Sequence, residues 1–432
     1  MSPEVTGIVG IVVLLLLFLL RVPVAFAMAL VGLAGFAYLS TTDAALSILA
    51  RDYFERLTSY PLSAIPMFIL MGSFAFAAGI SRRVYDTAYD WVGQFRGGLT
   101  MATVLGCAGF AAVCGSSTAT AATMGRIALP EMKRYNYDNT LATGTVAAAG
   151  TLGVLIPPST ILLVYGFLTQ ESIGKLFVAG ILPGILLSLF FVLTVFLICL
   201  RNPALGPPAA PTSWRKKAGA LTGVIEAIIL FGLVIGGLFL GWFSPTKAGA
   251  IGAAGALVIG LARRELSWRA FWEASKDALR TSCMVLFIIT GAVVFGHFMA
   301  ISRIPFALAD WVGGLPLPEL GIIGVIVFIF FVAGFFMDAM AMVVLLIPIL
   351  HPVLANLGVD LIWFGVIVVL VGEMGVITPP VGVNVFVIKG IAPEIPIMQI
   401  FKGIFPFLIA IIICTIILMF FPQIATFLPG LR

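Results

Sequence analysis

Two stretches of the sequence determine the fold: GTLGVLIPPST at residues 150–160 and GEMGVITPPVG at residues 372–382. Each lies within a long apolar run and contains two adjacent prolines, Pro157-Pro158 in the first and Pro379-Pro380 in the second. Proline donates no backbone hydrogen bond and drives the preceding residue out of the α-helical region, so neither stretch can remain helical. The sequence therefore predicts two broken helices with free backbone carbonyl groups at the breaks.

Apolar residues dominate the rest of the chain. Of 432 residues, 61% are hydrophobic and 10% are charged, whereas soluble domains carry roughly a quarter charged residues. Because alternation with a period of two is absent, a transmembrane β-barrel is excluded, and we expect an all-α polytopic membrane protein in a lipid bilayer. Spans are expected near 6–20, 22–40, 61–80, 141–168, 177–200, 222–243, 247–262, 281–301, 361–390 and 403–421.

Two further apolar segments, 100–130 and 320–350, are too long for one upright span and too short for two. A polar or Gly-containing turn interrupts each of them, which predicts two re-entrant hairpins. With the N-terminus outside, most of the 24 Lys and Arg fall in cytoplasmic loops, as the positive-inside rule requires. We therefore expect both termini in the periplasm. The positive charges are scattered in short clusters, so no nucleic-acid partner is expected.

The chain repeats itself at a shift of about 220 residues. The first Pro-Pro stretch aligns with the second, and DWVG at 90–93 aligns with DWVG at 310–313. In the expected topology the copies are inverted, an arrangement typical of secondary transporters with a site at the membrane midplane. The predicted organisation is an N-terminal scaffold (1–60), a first inverted repeat (61–190), a linker with central scaffold spans (191–280), a second inverted repeat (281–413) and the end of the last span (414–432).

The broken helices and hairpin tips are candidate binding sites. Backbone that is not in a helix is tolerated at membrane depth where it lines a cavity. At helix ends, the C-terminal carbonyl groups suit a cation and the N-terminal amides suit an anion. Symmetry between the repeats predicts two cation sites. The first comprises Ala111, Cys114, Gly115, Gly153, Ile156 and Pro158, and the second comprises Gly334, Gly375, Thr378 and Val381. The residues expected to face an anionic substrate are Ser116, Ser117, Thr118 and Ser159.

Ionisable side chains at membrane depth are rare and are candidates for function. Asp338 either caps the second half-helix of its hairpin or takes part directly in coupling. Glu373 either takes part in coupling or binds the unwound amides around Gly375. Arg126 either neutralises a carboxylate substrate or snorkels towards the cytoplasm, which its position four residues before Pro130 favours.

At these residues the sequence resembles the large membrane subunit of the tripartite ATP-independent periplasmic (TRAP) transporters. Besides the two Pro-Pro stretches, the resemblance rests on GSSTATAATMG (115–125), LPEMKRYNYD (129–138) and VYGFLTQESIGKLFVAGILPG (164–184). It implies uptake of an organic acid across the bacterial inner membrane, driven by Na⁺ at the two cation sites through an elevator-type motion. It also implies two partners, a small four-helix membrane subunit and a soluble periplasmic substrate-binding protein.

The chain departs from this family at a few positions. The family usually has Ser where this chain has Ala111 and Cys114, so sodium contacts there must come from carbonyl groups. Arg126 stands where a small or neutral residue is usual. Two alternatives within transport stay open: a stand-alone symporter of the divalent-anion type, and a proton-coupled transporter that uses Asp338 and Glu373.

An enzyme is not expected, because the sequence contains no HExxH motif, no GxSxG motif and no acid–base pair close in sequence. The sequence does not identify the acid, which is a four-carbon dicarboxylate, a sugar acid such as sialate, or another carboxylate.

Overall fold

The regular elements of the computed structural model are all helices, within the residues that it describes (1–20, 22–314, 316 and 318–431). Arg21 and Arg432, which enter the charge distribution above, lie outside these residues. The helices are α1 Pro3–Leu19, α2 Val24–Leu39, α3 Thr42–Leu57, α4 Ala64–Ala77, α5 Ile80–Val92, α6 Gly98–Cys114, α7 Ser117–Arg134, α8 Asn139–Ala149, α9 Leu152–Leu155, α10 Thr160–Thr169, α11 Ile173–Arg201, α12 Trp214–Ala220, α13 Thr222–Phe231, α14 Gly237–Phe239, α15 Pro245–Ala262, α16 Trp268–Ser302, α17 Ile304–Gly313, α18 Glu319–Gly334, α19 Ala339–Asn356, α20 Leu361–Ile377, α21 Val383–Ile391, α22 Ile397–Phe420 and α23 Gln423–Gly430. The predicted all-α fold is confirmed.

Six of the described helices are long and apolar enough to cross a membrane, or up to eight if each of two bent helix pairs is one span. One bent pair is Thr42–Leu57 with Pro61–Ala77, which meet at 56°. The other is Asn139–Leu155 with Thr160–Thr169, which meet at 40° at the first Pro-Pro break. The chain is therefore a multi-pass membrane protein.

Helices α6 and α7 form the first predicted hairpin. Gly115 ends α6 in a left-handed conformation with φ 70°, which glycine adopts without steric cost. Ser116 follows in an extended conformation, and its hydroxyl accepts a hydrogen bond from the Ala119 amide at 3.3 Å. This N-cap starts α7 immediately after the turn, so the tip of the hairpin is only two residues wide.

Helices α18 and α19 form the second predicted hairpin. Its turn spans residues 335–338, and the Asp338 carboxylate accepts a hydrogen bond from the Ala341 amide at 2.9 Å. Asp338 thus fills the N-cap position, one of the two roles left open by the sequence.

Both Pro-Pro stretches break their helices as predicted. In the first, α9 ends at Leu155 and α10 begins at Thr160, with the Ser159 hydroxyl capping α10 through the Leu162 amide at 3.1 Å. In the second, α20 ends at Ile377, Thr378 is extended and α21 begins only after the left-handed Gly382. The first break is largely buried, whereas Pro379 and Pro380 are exposed.

The hairpins and broken helices pack across the two repeats. Helix α7 packs on α21, and its counterpart α19 packs on α10. Likewise α8 packs on α22, and its counterpart α20 packs on α11. Since each repeat contacts the other in the same way, α6–α11 and α18–α22 form one interlocked body, which we call the inner unit.

A second group of helices, α1–α4 and α13–α16, forms what we call the frame. Helix α2 packs on α16, α15 packs on α4, and α4 contacts α16. Helix α16 begins at Trp268 rather than near residue 281, because Ser267 caps an amphipathic extension by accepting from the Ala270 amide at 3.2 Å. The short helices α5 and α17 each contact both the frame and the inner unit.

Candidate functional site

A cavity of about 970 Å³ lies between the inner unit and the frame. The tips of both hairpins and the broken helices form one wall, and α4 and α16 form the other. Both predicted repeats therefore contribute to a single cavity. The cavity lies between the frame and the inner unit, which α5 and α17 connect. Such a position suits a ligand site whose exposure to solvent changes when one of the two bodies moves.

The tip of the first hairpin presents hydroxyl groups to this cavity. Ser116, Ser117 and Thr118 all line it, and the hydroxyl oxygens of Ser116 and Thr118 lie 3.3 Å apart. The amides of the first turn of α7 face the same region, which favours an anionic group. Ser159, the fourth residue expected to face substrate, is buried and caps α10 instead of lining the cavity.

Three residues of the first predicted cation site, Gly115, Gly153 and Pro158, lie where the hairpin tip meets the first broken helix. The Gly115 carbonyl accepts hydrogen bonds from the Thr160 amide at 3.4 Å and from its hydroxyl at 2.9 Å. A Cβ atom added to Gly115 would lie 2.5 Å from the Pro158 carbonyl oxygen, and one added to Gly153 would lie 2.5 Å from the Ser116 carbonyl oxygen. Glycine at both positions therefore allows the Pro158 and Ser116 carbonyl groups to lie close to a neighbouring backbone segment.

Thr120 belongs to this region and was missed by sequence reasoning. Its side chain is fully buried beside Cys114, and a Cβ atom at Gly153 would collide with its hydroxyl oxygen. That oxygen makes no hydrogen bond of normal geometry with the described residues. The sequence could have indicated Thr120 through its spacing. It follows Ser116, the N-cap of α7, by four residues, which places the two side chains on the same side of the helix.

The second predicted cation site joins the second hairpin to the second broken helix. A Cβ atom added to Gly375 would lie 2.6 Å from the Gly334 Cα atom, so these two backbones touch. The Thr378 hydroxyl donates to the Met374 carbonyl oxygen, which leaves the lone pairs of the hydroxyl oxygen free to accept or coordinate. Val381 is half-buried and directly precedes the left-handed Gly382.

Two acidic residues meet near the hairpin tips. Glu373 is 2% exposed, lines the cavity and has Ser117 and Asp338 as its electrostatic neighbours. Neither of its carboxylate oxygens makes a hydrogen bond of normal geometry with the described residues. Burying an unpaired carboxylate costs free energy. Glu373 can therefore take up a proton, bind a cation or accept a hydrogen bond from a ligand.

The open end of the cavity lies where α4 ends and α16 begins. Ala77 and Ala270 line the cavity there, together with the exposed side chains of Arg126, Glu273 and Asp277. At the opposite end, contacts between frame and inner unit include the Phe68 and Phe177 rings, which meet edge-on with centroids 5.4 Å apart. The Arg56 guanidinium also lies 5.4 Å from the centroid of the Phe167 ring.

Comparisons with known proteins agree with this architecture. Residues 11–424 match the family model described as "Tripartite ATP-independent periplasmic transporter, DctM component". The chain is 36% identical over 384 residues to a C4-dicarboxylate TRAP transporter large permease protein of Pseudomonas aeruginosa, covering 88% of this chain and 89% of that protein. It is also 36% identical over 401 residues to an isethionate TRAP transporter permease protein, DctMQ, of Oleidesulfovibrio alaskensis, covering 92% of this chain and 63% of that longer protein.

Among solved structures, the YdaH transporter of Alcanivorax borkumensis, described as having an unusual topology, shares the fold. The TM-score is 0.64 at 16% sequence identity, and the match covers 94% of this chain and 97% of that one. The family match over nearly the whole chain carries the assignment. The chain belongs to the DctM family, the large permease component of the tripartite ATP-independent periplasmic transporters.

Proposed function

We propose that this chain is the transport subunit of a secondary transporter that imports an organic acid, coupled to the sodium gradient by an elevator mechanism. The observation that supports the proposal most directly is that both hairpin tips line one cavity. In that cavity, helix N-termini and hydroxyl groups suit a carboxylate, and carbonyl-rich helix breaks beside it suit a small cation.

Sodium is assigned to the two helix breaks. At the first break the ligands are the backbone carbonyl groups around Gly115, Gly153 and Pro158, supplemented by the Thr120 hydroxyl. At the second they are the carbonyl groups of Gly334 and Gly375, supplemented by Thr378. Hard cations prefer such oxygen ligands. Because each site joins a hairpin to a broken helix, sodium binding stabilises the geometry of the tip that receives substrate.

The division into two bodies supports an elevator motion. The inner unit carries both hairpins and both breaks, so it moves substrate and sodium together past the frame, while α5 and α17 bend at their ends. On the charge-based topology the open end of the cavity faces the cytoplasm and both termini face the periplasm. The conformation described here then corresponds to the state that releases substrate inward.

The partners are proposed from the family. A tripartite transporter with a periplasmic component requires a soluble binding protein that delivers the acid, and the longer DctMQ relative leaves room for a further membrane segment beside the permease. We therefore propose that the chain works with a small four-helix membrane subunit and a substrate-binding protein in the bacterial inner membrane.

A proton-coupled mechanism is the second candidate, because Glu373 is a buried carboxylate without a hydrogen-bond partner among the described residues. Uptake into proteoliposomes that contain the chain, its small subunit and its binding protein distinguishes the two. Sodium coupling predicts accumulation that needs an inward sodium gradient and survives a protonophore. Accumulation that survives loss of the sodium gradient but not of the proton gradient would contradict it. Transport by the chain alone would instead favour a stand-alone symporter.

A further inference from the structure

Arg126 lies on the face of α7 that lines the cavity. The lining residues of this helix beyond the tip are Ala119, Ala122, Thr123 and Arg126, whose spacing of three or four places them on one face. Except for Arg126, this face carries only small side chains. The guanidinium is thus the one basic group among the lining residues of the cavity in the described part of the chain.

This positive charge has no partner. Within the described residues, Arg126 makes no ion pair and no side-chain hydrogen bond. Two acidic residues line the facing wall on α16, but Glu273 is already paired with Arg269 at 2.9 Å and Asp277 lies beyond ion-pair distance of Arg126. A guanidinium that faces a cavity without a carboxylate partner is available to an anionic ligand.

The distance from the hairpin tip suits a ligand with two ends. Arg126 follows Ser117 by nine residues, which corresponds to about 13 Å along the helix axis. Side chains of an α-helix lean towards its N-terminus, so the guanidinium lies on the tip side of its own Cα atom. An acid bound near the tip through one acidic group therefore has to bridge less than this axial distance to contact Arg126 with a second group.

The distribution of charge around the tip favours the same orientation. Asp338 lines the cavity on the side of the second hairpin, where its carboxylate repels a second anionic group. The α7 side of the cavity carries the positive charge of Arg126 instead. A ligand with two acidic groups therefore lies most favourably along α7, with one group at the tip and the other at Arg126.

We propose that Arg126 binds a second acidic group of the transported molecule and makes this chain selective for organic acids with two such groups. A planar guanidinium binds a carboxylate through two parallel hydrogen bonds, which gives both affinity and orientation. This inference rests on the proposed function, since it assumes that an organic acid occupies the cavity.

The test compares succinate with monomethyl succinate, which has the same carbon skeleton and one acidic group fewer. Apparent affinities are measured by thermal stabilisation of the chain purified with its small membrane subunit, at constant sodium concentration. We expect the wild type to bind succinate about tenfold more tightly than the ester. Arg126→Gln should remove this preference and leave the affinity for the ester unchanged, and Arg126→Lys should restore part of it.

Arg134→Gln is the matched control, because Arg134 lies on the same helix, is largely exposed and does not line the cavity. It should keep the wild-type preference. The inference is overturned if Arg126→Gln retains the preference, if Asp277→Asn removes it equally, or if the wild type responds only to acids with one acidic group, such as N-acetylneuraminate. If the wild type responds to no acid, the proposed function itself fails.

Discussion

Thr378 is the one residue of the proposed second sodium site that adds a side-chain hydroxyl group to the backbone carbonyl groups. Its hydroxyl donates to the Met374 carbonyl oxygen in the preceding turn, so its remaining lone pairs point away from that bond. The residue lies at the end of α20, where carbonyl groups are already free of helical hydrogen bonds. An oxygen in this position adds to the ligand set without the desolvation cost of a buried carboxylate.

We predict that Thr378→Ala raises the sodium concentration for half-maximal uptake about tenfold, because one oxygen ligand of the second site is lost. Expression should change little. Thr415→Ala is the matched control, since Thr415 is buried on α22 and its hydroxyl makes the same bond one turn back, to Ile411 at 2.9 Å, away from the cavity. Sodium dependence is measured as initial uptake into proteoliposomes, and equal curves for the two variants would remove Thr378 from the site.

Sequence reasoning at this scale succeeds where backbone conformation is dictated locally. A Pro-Pro pair removes two adjacent amide donors, and Gly115 can take the left-handed conformation of a tight turn, so the breaks were predictable. The roles of Thr120 and Ser159 were not, because a hydroxyl on α7 or α10 either faces a neighbouring chain segment or caps its own helix. That choice depends on packing between elements that are distant in sequence.

At the scale of elements, the second hairpin and the second broken helix touch through glycine alone. The Gly334 and Gly375 backbones are closer than any larger side chain permits. This contact brings the C-terminal end of α18 beside the last turn of α20, so that carbonyl groups from two chain segments can share one cation. The pairing of these two glycines follows from the inverted repeat, and so the sequence already predicted it.

We predict that Gly375→Ala abolishes most uptake, because the new Cβ atom would lie 2.6 Å from the Gly334 Cα atom and must separate the two elements. Such overpacking costs about 1–3 kcal/mol of stability. Gly324→Ala is the control within the same hairpin, since nothing lies within 4 Å of its added Cβ atom. It should keep uptake and gain about 0.5–1 kcal/mol from helix propensity. Thermal unfolding and uptake of both variants provide the measurements, and full activity of Gly375→Ala would contradict the shared site.

Other elements were less predictable. The sequence placed the start of a span near residue 281, because charged residues such as Lys276 and Arg280 precede it. The structure extends α16 back to Trp268, since one face of the extension packs on α4, as the stacked Phe74 and Phe271 rings show. Hydropathy identifies the part of a helix that lies in lipid. It does not identify an extension of the same helix that lies outside the lipid and packs on a neighbouring helix.

At the scale of the whole molecule, the proposed elevator mechanism depends on the boundary between the frame and the inner unit. The two bodies meet around the cavity, and at its closed end the Arg56 guanidinium of α3 lies over the Phe167 ring of α10. An elevator mechanism requires this contact to break during each cycle, because α3 belongs to the frame and α10 to the inner unit. Contacts within the frame, such as the stacked rings of Phe26 and Phe287 with centroids 6.4 Å apart, should persist.

We therefore predict that a covalent link across this boundary stops transport, whereas a link within the frame does not. The pair Arg56→Cys and Phe167→Cys, joined by a flexible bifunctional maleimide in a background without the five native cysteines, should reduce uptake to the level of empty liposomes. The pair Phe26→Cys and Phe287→Cys should crosslink equally well and retain uptake. Crosslinking is quantified by mass spectrometry of the linked peptides in the same proteoliposomes. If the first pair transports normally when fully linked, α3 and α10 move as one body and the elevator mechanism fails.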